Sequence, residues 1–241
     1  MKKSPHILVS PLDWGLGHAT RCVPVIRELI HQNAKVIIAA DRGPLAFLKQ
    51  EFPHLDFITL PGYRFSYPAS RNMALKMIAQ SPAIFQGISK EHRALEKIIQ
   101  SHKIDAVISD NRYGLWNKKI PSIFLTHQLK IKTPAGLDFL QPLLFGLNKH
   151  FIRHYNECWI PDFSDEPNLS GELSHIPMPA PNTFFIGPLS RFSDLKIGGY
   201  PPDKENSAKY DLLVMLSGPE PQRTILEEKI MVQVKKSNYS T

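Results

Sequence analysis

No run of about 18 or more uncharged apolar residues occurs in this sequence, so no segment has the pattern of a membrane-spanning helix. Its start, Met1-Lys2-Lys3-Ser4-Pro5, runs straight into a strand pattern without the small-residue cleavage site of a signal peptide, and a cytoplasmic location is expected. Cysteine is scarce: Cys22 and Cys158 are far apart in sequence and fall on predicted buried faces. Packed thiols are expected there rather than a disulfide. Cys/His zinc spacing, a Walker lysine and an RNA-binding signature with interleaved aromatics are all missing, which counts against zinc, NTPase and nucleic-acid functions. Acidic residues are also in deficit: 22 Asp and Glu stand against 29 Lys and Arg, for a formal charge of +7 and a pI near 9.3. That excess suits anionic partners, whether nucleic acid, phospholipid headgroups or a phosphorylated substrate.

What is present is a globular composition, 42% apolar, organised around Pro5 to Gln32. A short apolar run, His6 to Ser10, leads into Trp14-Gly15-Leu16-Gly17-His18. Beyond it, Ala19, Cys22, Val23, Ile26, Leu29 and Ile30 fall at the three- and four-residue steps of one helix face. Strand, glycine turn and helix is the reading, with Pro24 expected near the helix start, where a missing N–H costs little. Gly15 and Gly17 let a ligand approach the main chain, and the helix start behind them offers free N–H groups to an anion. His18 at that mouth can exchange a proton near neutral pH.

The alternation continues. Lys35–Ala40 and Asp56–Leu60 read as strands, with a turn at Asp41-Arg42-Gly43-Pro44 and a helix over Leu45–Phe52 between them. Apolar strands alternating with helices predict a parallel sheet covered on both faces. Asp41 is a weak match to a ribose-binding carboxylate, and the third glycine of the dinucleotide fingerprint is absent. Pro61 to Gln86 interrupts the alternation with Tyr63, Arg64, Phe65, Tyr67, Arg71, Met73 and Met77. It reads either as a lid or docking surface or as a helix packing its Met and Leu stripe on the sheet. Ser89–Lys103 reads as an amphipathic helix.

Asp105–Ser109 and Pro121–Thr126 are further strands, ending on Asp110-Asn111-Arg112-Tyr113-Gly114 and on His127-Gln128. Ligands of open α/β sheets gather beyond the carboxyl ends of strands. His18, Asp110, Asn111, Arg112, His127 and Gln128 are therefore expected at one edge, suited to binding a phosphorylated substrate and moving a proton. Phe139–Tyr155 reads as a basic amphipathic helix, and Glu157–Ile160 and Thr183–Ile186 as the last strands of a first domain spanning 1–189. Residues 190–209, rich in Gly, Pro and Ser, read as a linker. Over 210–241 the pattern restarts, with a strand at Tyr210–Leu216, a turn from Ser217 to Arg223, and a helix from Thr224 onward.

These pieces together resemble the N-terminal domain and linker of a GT-B glycosyltransferase, closest to the MurG-like branch that uses UDP-sugars, glycosyltransferase family 28. The resemblance covers residues 6 to about 230. It rests on Gly15-Leu16-Gly17-His18 after the first strand, on Ile120-Pro121 to His127-Gln128, on Phe185-Ile186-Gly187-Pro188 with Ser190-Arg191, and on Ser217-Gly218 with Gln222-Arg223. It implies a Rossmann-like open parallel sheet followed by a truncated second α/β domain. The reaction it implies moves a hexose or N-acetylhexosamine from a UDP-linked or other nucleoside diphosphate donor to a lipid-linked or other acceptor. No essential metal and no cofactor beyond the nucleotide sugar are expected, and contact with the inner face of the membrane is implied.

On this resemblance Gly15, Gly17 and His18, with Asp110, Asn111, Arg112, His127 and Gln128, meet acceptor or diphosphate, and His18 is the catalytic residue, either as a base or by stabilising developing charge. Ser217, Gly218, Gln222 and Arg223 meet the donor. Asp110 to Gly114 departs from the second glycine-rich loop of MurG, so the acceptor need not be a peptidoglycan precursor. Most of a nucleotide domain is missing, which implies a truncated product with little turnover of its own. The main rival is a non-catalytic acceptor-binding subunit of a split glycosyltransferase. A sugar-nucleotide epimerase and a DNA-binding role rank below it.

Overall fold

Short runs of Val, Ile, Leu and Ala make the strands. Their neighbours on the sheet are other such runs, joined by connections that bring the chain back to the same end, as a parallel sheet requires. The computed structural model describes residues 4–62, 73–133, 138–177, 181–193, 211–218 and 220–237, the side chains of 73–81 excepted. These residues divide after Ser193 into two compact units.

In the first unit, β1 (His6–Pro11), β2 (Lys35–Ala40), β3 (Asp56–Thr59), β4 (Ala106–Asp110), β5 (Ser122–Leu125), β6 (Glu157–Ile160) and β7 (Thr183–Phe185) form a seven-stranded sheet. The order is β3-β2-β1-β4-β5-β6-β7, and every pair is parallel. The chain works outward from β1 to β3 and then returns to the other side of β1, so the order reverses between β1 and β4. In open α/β sheets such a reversal opens a crevice at the carboxyl ends of the strands.

Successive side chains of a strand alternate faces, and the core divides accordingly. On one face Val9, Val36, Ile38 and Ile108 pack with Ala19, Cys22, Val23 and Ile26 of α1 (Leu16–His31) and Leu48 of α2 (Arg42–Glu51). On the other, Leu8, Ile37, Ala39 and Val107 meet Leu95 and Ile98 of α3 (Met73–His102). Burying each Val, Leu or Ile contributes about 1.5–3 kcal/mol. Residues 138–140 make one 3-10 turn ahead of α4 (Gln141–Ile152). In the second unit the described residues form α5 (Gln222–Val234).

Three expectations are corrected. Pro24 lies inside α1, not near its start, because Leu16, Gly17 and His18 are already helical; there it removes one N–H from the helical ladder. Asp41 and the supposed turn after it belong to α2: the Asp41 side chain accepts from the Arg42 N–H as the helix cap, a local duty that accounts for the acid without a ribose. Residues 211–217 form no strand, and among the described residues they have no neighbouring strand to pair with. Of Pro61 to Gln86, read as a lid or docking surface or as a helix, residues 63–72 lie outside the described residues and 73–86 belong to α3.

Candidate active site

The carboxyl ends of β1, β4 and β5, three adjacent strands, deliver the central residues. β1 runs through Leu12 to Trp14 into Gly15, the residue before α1, whose φ of 156° is one that side-chain-bearing residues rarely adopt. A Cβ on Gly15 or on Gly17 would meet nothing within 4 Å among the described residues, so the main chain at the helix start is open to an approaching ligand. α1 then places His18 and Arg21 one turn apart on the same face.

Asp110, the last residue of β4, is fully buried and is the hub of the site. His18 Nδ1 stands 2.9 Å from its Oδ1. Arg21 grips both carboxylate oxygens, donating Nε–H to Oδ2 at 2.6 Å and Nη2–H to Oδ1. The Cys22 thiol points at Oδ2 from 3.5 Å. Arg21 Nη1 reaches across to His127 Nδ1, just beyond β5, at 2.7 Å. Burial pushes the Asp110 carboxyl up, but the Arg21 charge and hydrogen bonds, with those of His18, outweigh it and hold the group below the ordinary carboxylate range. Burial pulls His127 down, and Arg21 and His18 add to the pull, so its ring favours the neutral form.

An ionised carboxylate only accepts hydrogen bonds, so His18 Nδ1 carries the proton that faces Asp110. In the neutral ring the lone pair then lies on Nε2. The ring is half-buried, 17% exposed, on a helix start whose partial positive charge favours an anion nearby. A base oriented by a buried carboxylate, beside an anion-favouring helix mouth, is equipped to take a proton from a hydroxyl while negative charge departs.

The other expected site residues divide. Asn111, with φ of 58°, links strand ends: its N–H donates to the Leu125 carbonyl at 3.1 Å and its Oδ1 accepts from Thr126 Oγ1 at 2.9 Å. Gln128 follows His127, its N–H held by Thr126 Oγ1 and its carbonyl by Asn148 Nδ2, each at 3.0 Å. Arg112 is held by the protein's own groups. It is fully buried on the α3 side of the sheet, donating from Nε to Glu91 Oε1 at 2.9 Å and from Nη1 and Nη2 to the Leu60 and Pro61 carbonyls at 3.0 Å. The left-handed turn at Asn111 sends the chain inward there, and Arg112 braces the strand ends.

Ser217, Gly218, Gln222 and Arg223 lie in the second unit. Ser217 and Gly218 are exposed, Gln222 opens α5, and Arg223 pairs with Glu220 at 2.8 Å and Glu227 at 3.4 Å. Arg21 is the residue that sequence reasoning missed. Its signal was the three-residue step from His18, which puts a cation beside the imidazole on any helix.

The family model described as glycosyl transferase family 1 matches residues 6–120, which hold β1 to β4, His18, Arg21 and Asp110. Among solved structures the chain is similar to CalG4, the calicheamicin glycosyltransferase, at 13% identity over 78% of this chain and 53% of that one, with a TM-score of 0.51. Arabidopsis thaliana UGT89C1 is similar at 18% identity over 78% and 50%, TM-score 0.48, and Acinetobacter baumannii MurG at 13% over 75% and 44%, TM-score 0.43. The chain thus spans about half the length of these proteins. Among curated proteins none matches it. By fold, the chain is an α/β protein whose seven-stranded, Rossmann-like parallel sheet is of the kind found in GT-B glycosyltransferases.

Proposed function

We propose that this chain provides the acceptor side of a sugar-transfer site of the MurG-like kind, with His18 as catalytic base and Asp110 as the group that orients it. The donor is a nucleoside diphosphate sugar, UDP-linked, carrying a hexose or N-acetylhexosamine, and it serves as co-substrate without a further cofactor or an essential metal. The single observation that supports this reading most is the 2.9 Å contact between His18 Nδ1 and the buried Asp110 carboxylate at the open edge of the sheet. In the reaction His18 Nε2 takes the acceptor hydroxyl proton, and the oxygen bonds to the anomeric carbon. The bond from that carbon to the diphosphate oxygen breaks, and the electron pair leaves with the diphosphate. Asp110 offsets the imidazolium charge, and the N–H groups near Gly15 and Gly17 face the departing anion.

The acceptor on this reading is lipid-linked, and the chain acts in the cytoplasm at the inner face of the membrane. Phe139 and Leu143, 73% and 67% exposed, and the basic Lys149, His150 and Arg153 in and just after α4 support that placement. Equal retention on anionic and neutral vesicles would remove it. A second reading is a non-catalytic acceptor-binding subunit of a split enzyme, although such a subunit would not need the linker and partial second unit that follow residue 189. Transfer of radiolabelled sugar separates the two. With His18 as base, the change equivalent to His18→Ala in a full-length relative lowers turnover on the order of 10²–10⁴-fold, far more than it lowers nucleotide-sugar affinity. Equal turnover by both proteins removes His18 from the chemistry, and acceptor binding without turnover supports the subunit.

A further inference from the structure

Arginine has five N–H donors and no acceptor, so an imidazole nitrogen that faces it without a carboxylate alongside must offer a lone pair. Arg21 Nη1 touches His127 Nδ1 at 2.7 Å. That nitrogen is therefore unprotonated, and the neutral ring carries its proton on Nε2. His18 meets the same ion pair from the other side. Its Nδ1 is 2.9 Å from Asp110 Oδ1 and 3.0 Å from Arg21 Nη2. A lone pair on Nδ1 would face the lone pairs of a carboxylate, whereas a proton there is shared with it, so the carboxylate decides the tautomer. His18 then presents a lone pair on Nε2. One guanidinium and one carboxylate thus give two neighbouring imidazoles opposite polarity.

We propose that His127, held as its Nε2–H tautomer by Arg21, is a hydrogen-bond donor that selects acceptors carrying a second oxygen beside the reacting hydroxyl. Arg21 is the positioning residue that sets both rings. This inference rests on the reading of His18 as base. A ligand with a hydroxyl and an oxygen on the adjacent carbon satisfies both rings: the hydroxyl donates to His18 Nε2, and the neighbouring oxygen accepts from His127 Nε2–H. A ligand with one isolated hydroxyl leaves the His127 donor unmatched, and a polar group that loses its partner on binding costs affinity. Because burial, Arg21 and His18 all disfavour a second proton on His127, the pattern persists to lower pH than for an ordinary histidine.

The test is nitrogen-15 imidazole NMR of the full chain at pH 7, with trans-1,2-cyclohexanediol and cyclohexanol as probes. The expected spectrum has His127 protonated at Nε2 alone and His18 at Nδ1 alone. The diol shifts both Nε2 signals, and cyclohexanol shifts only that of His18. His127→Phe raises the diol Kd about fivefold, the worth of one neutral hydrogen bond, and leaves that of cyclohexanol unchanged. Arg21→Lys keeps the charge but loses the planar fork, and His127 then populates both tautomers; should that variant not fold, the wild-type spectrum still decides. A proton on His127 Nδ1, or indistinguishable responses to the two probes, including none to either, overturns the inference. If the tautomers stand while His18→Ala leaves sugar transfer intact, the catalytic reading fails alone. If His18→Ala abolishes transfer while His127 holds its proton on Nδ1, this inference fails alone.

Discussion

Replacing Glu91 with alanine isolates the energetic role of Arg112. Both side chains are buried, Arg112 completely and Glu91 to 2% exposure, and the pair is joined at 2.9 Å. Glu91 also accepts from the Gly114 N–H at 3.3 Å. Removing the carboxylate leaves a guanidinium in the interior with only neutral acceptors, Ser10 Oγ at 3.3 Å and the carbonyls of Leu60 and Pro61 at 3.0 Å. An uncompensated buried charge of this kind costs about 3–5 kcal/mol, a large fraction of the total stability of an ordinary domain. The three tryptophans, Trp14, Trp116 and Trp159, all belong to the first unit, so their fluorescence in a urea titration reports its unfolding.

Arg112→Met gives the complementary signature. Burial already raises the Glu91 carboxyl against the opposing pull of Arg112, and without Arg112 the rise grows. The folded form then binds a proton more tightly than the unfolded chain. The variant's stability deficit should therefore shrink as pH falls through the raised carboxyl range and be level by the ordinary carboxylate value of about 4.3. A Glu91→Ala loss under about 1 kcal/mol, or an Arg112→Met deficit independent of pH, would refute the view of Arg112 as a buried brace and return it to the candidate ligand contacts.

Three other outcomes are expected. Burial raises Asp162, but hydrogen bonds from Ser170 and from the N–H groups of Leu169, Ser170 and Phe163 outweigh it and depress the carboxyl. Its contribution is therefore present above the unfolded pKa of about 3.9 and lost as acid falls below it; Asp162→Asn should flatten the acid limb of a stability–pH curve. Burial pushes the Cys158 thiol up to about 12 and Cys22 well above its usual value, so neither should react with a thiol reagent at pH 8 until denaturant is added. A Cβ on Gly114 would stand 2.4 Å from the Ile88 carbonyl oxygen and 2.7 Å from Glu91 Cβ, so Gly114→Ala should cost about 1–3 kcal/mol in the same urea assay.

The layered sheet was legible because its signals are local and repeated. Val36 to Ala40 and Ala106 to Ser109 are too short and too β-branched to be buried helices, and the three- and four-residue steps of α1 match its buried face. The meeting of His18, Asp110 and His127 was legible too, because topology sends the ends of β1, β4 and β5 to one edge. What the pattern could not express was orientation. Asp110 and Arg112 are two residues apart, yet the left-handed Asn111 between them turns one toward α1 and the other toward α3. Arg21 was hidden for a related reason: on a helix with a polar flank, an arginine reads as solvated until a buried carboxylate is known to face it. Residues 212–216 have strand composition, but composition cannot supply the neighbouring strand that a ladder needs.

The account's central claim is that His18 and Asp110 act as one unit on a hydroxyl. A double-mutant cycle in the sugar-transfer assay of a full-length relative, with the changes equivalent to His18→Ala, Asp110→Asn and the pair together, measures this directly. The predicted result is that each single change lowers turnover and that the double variant is no slower than His18→Ala, because the carboxylate acts only through the imidazole. Unchanged turnover in His18→Ala, or losses that multiply in the double variant, would contradict it.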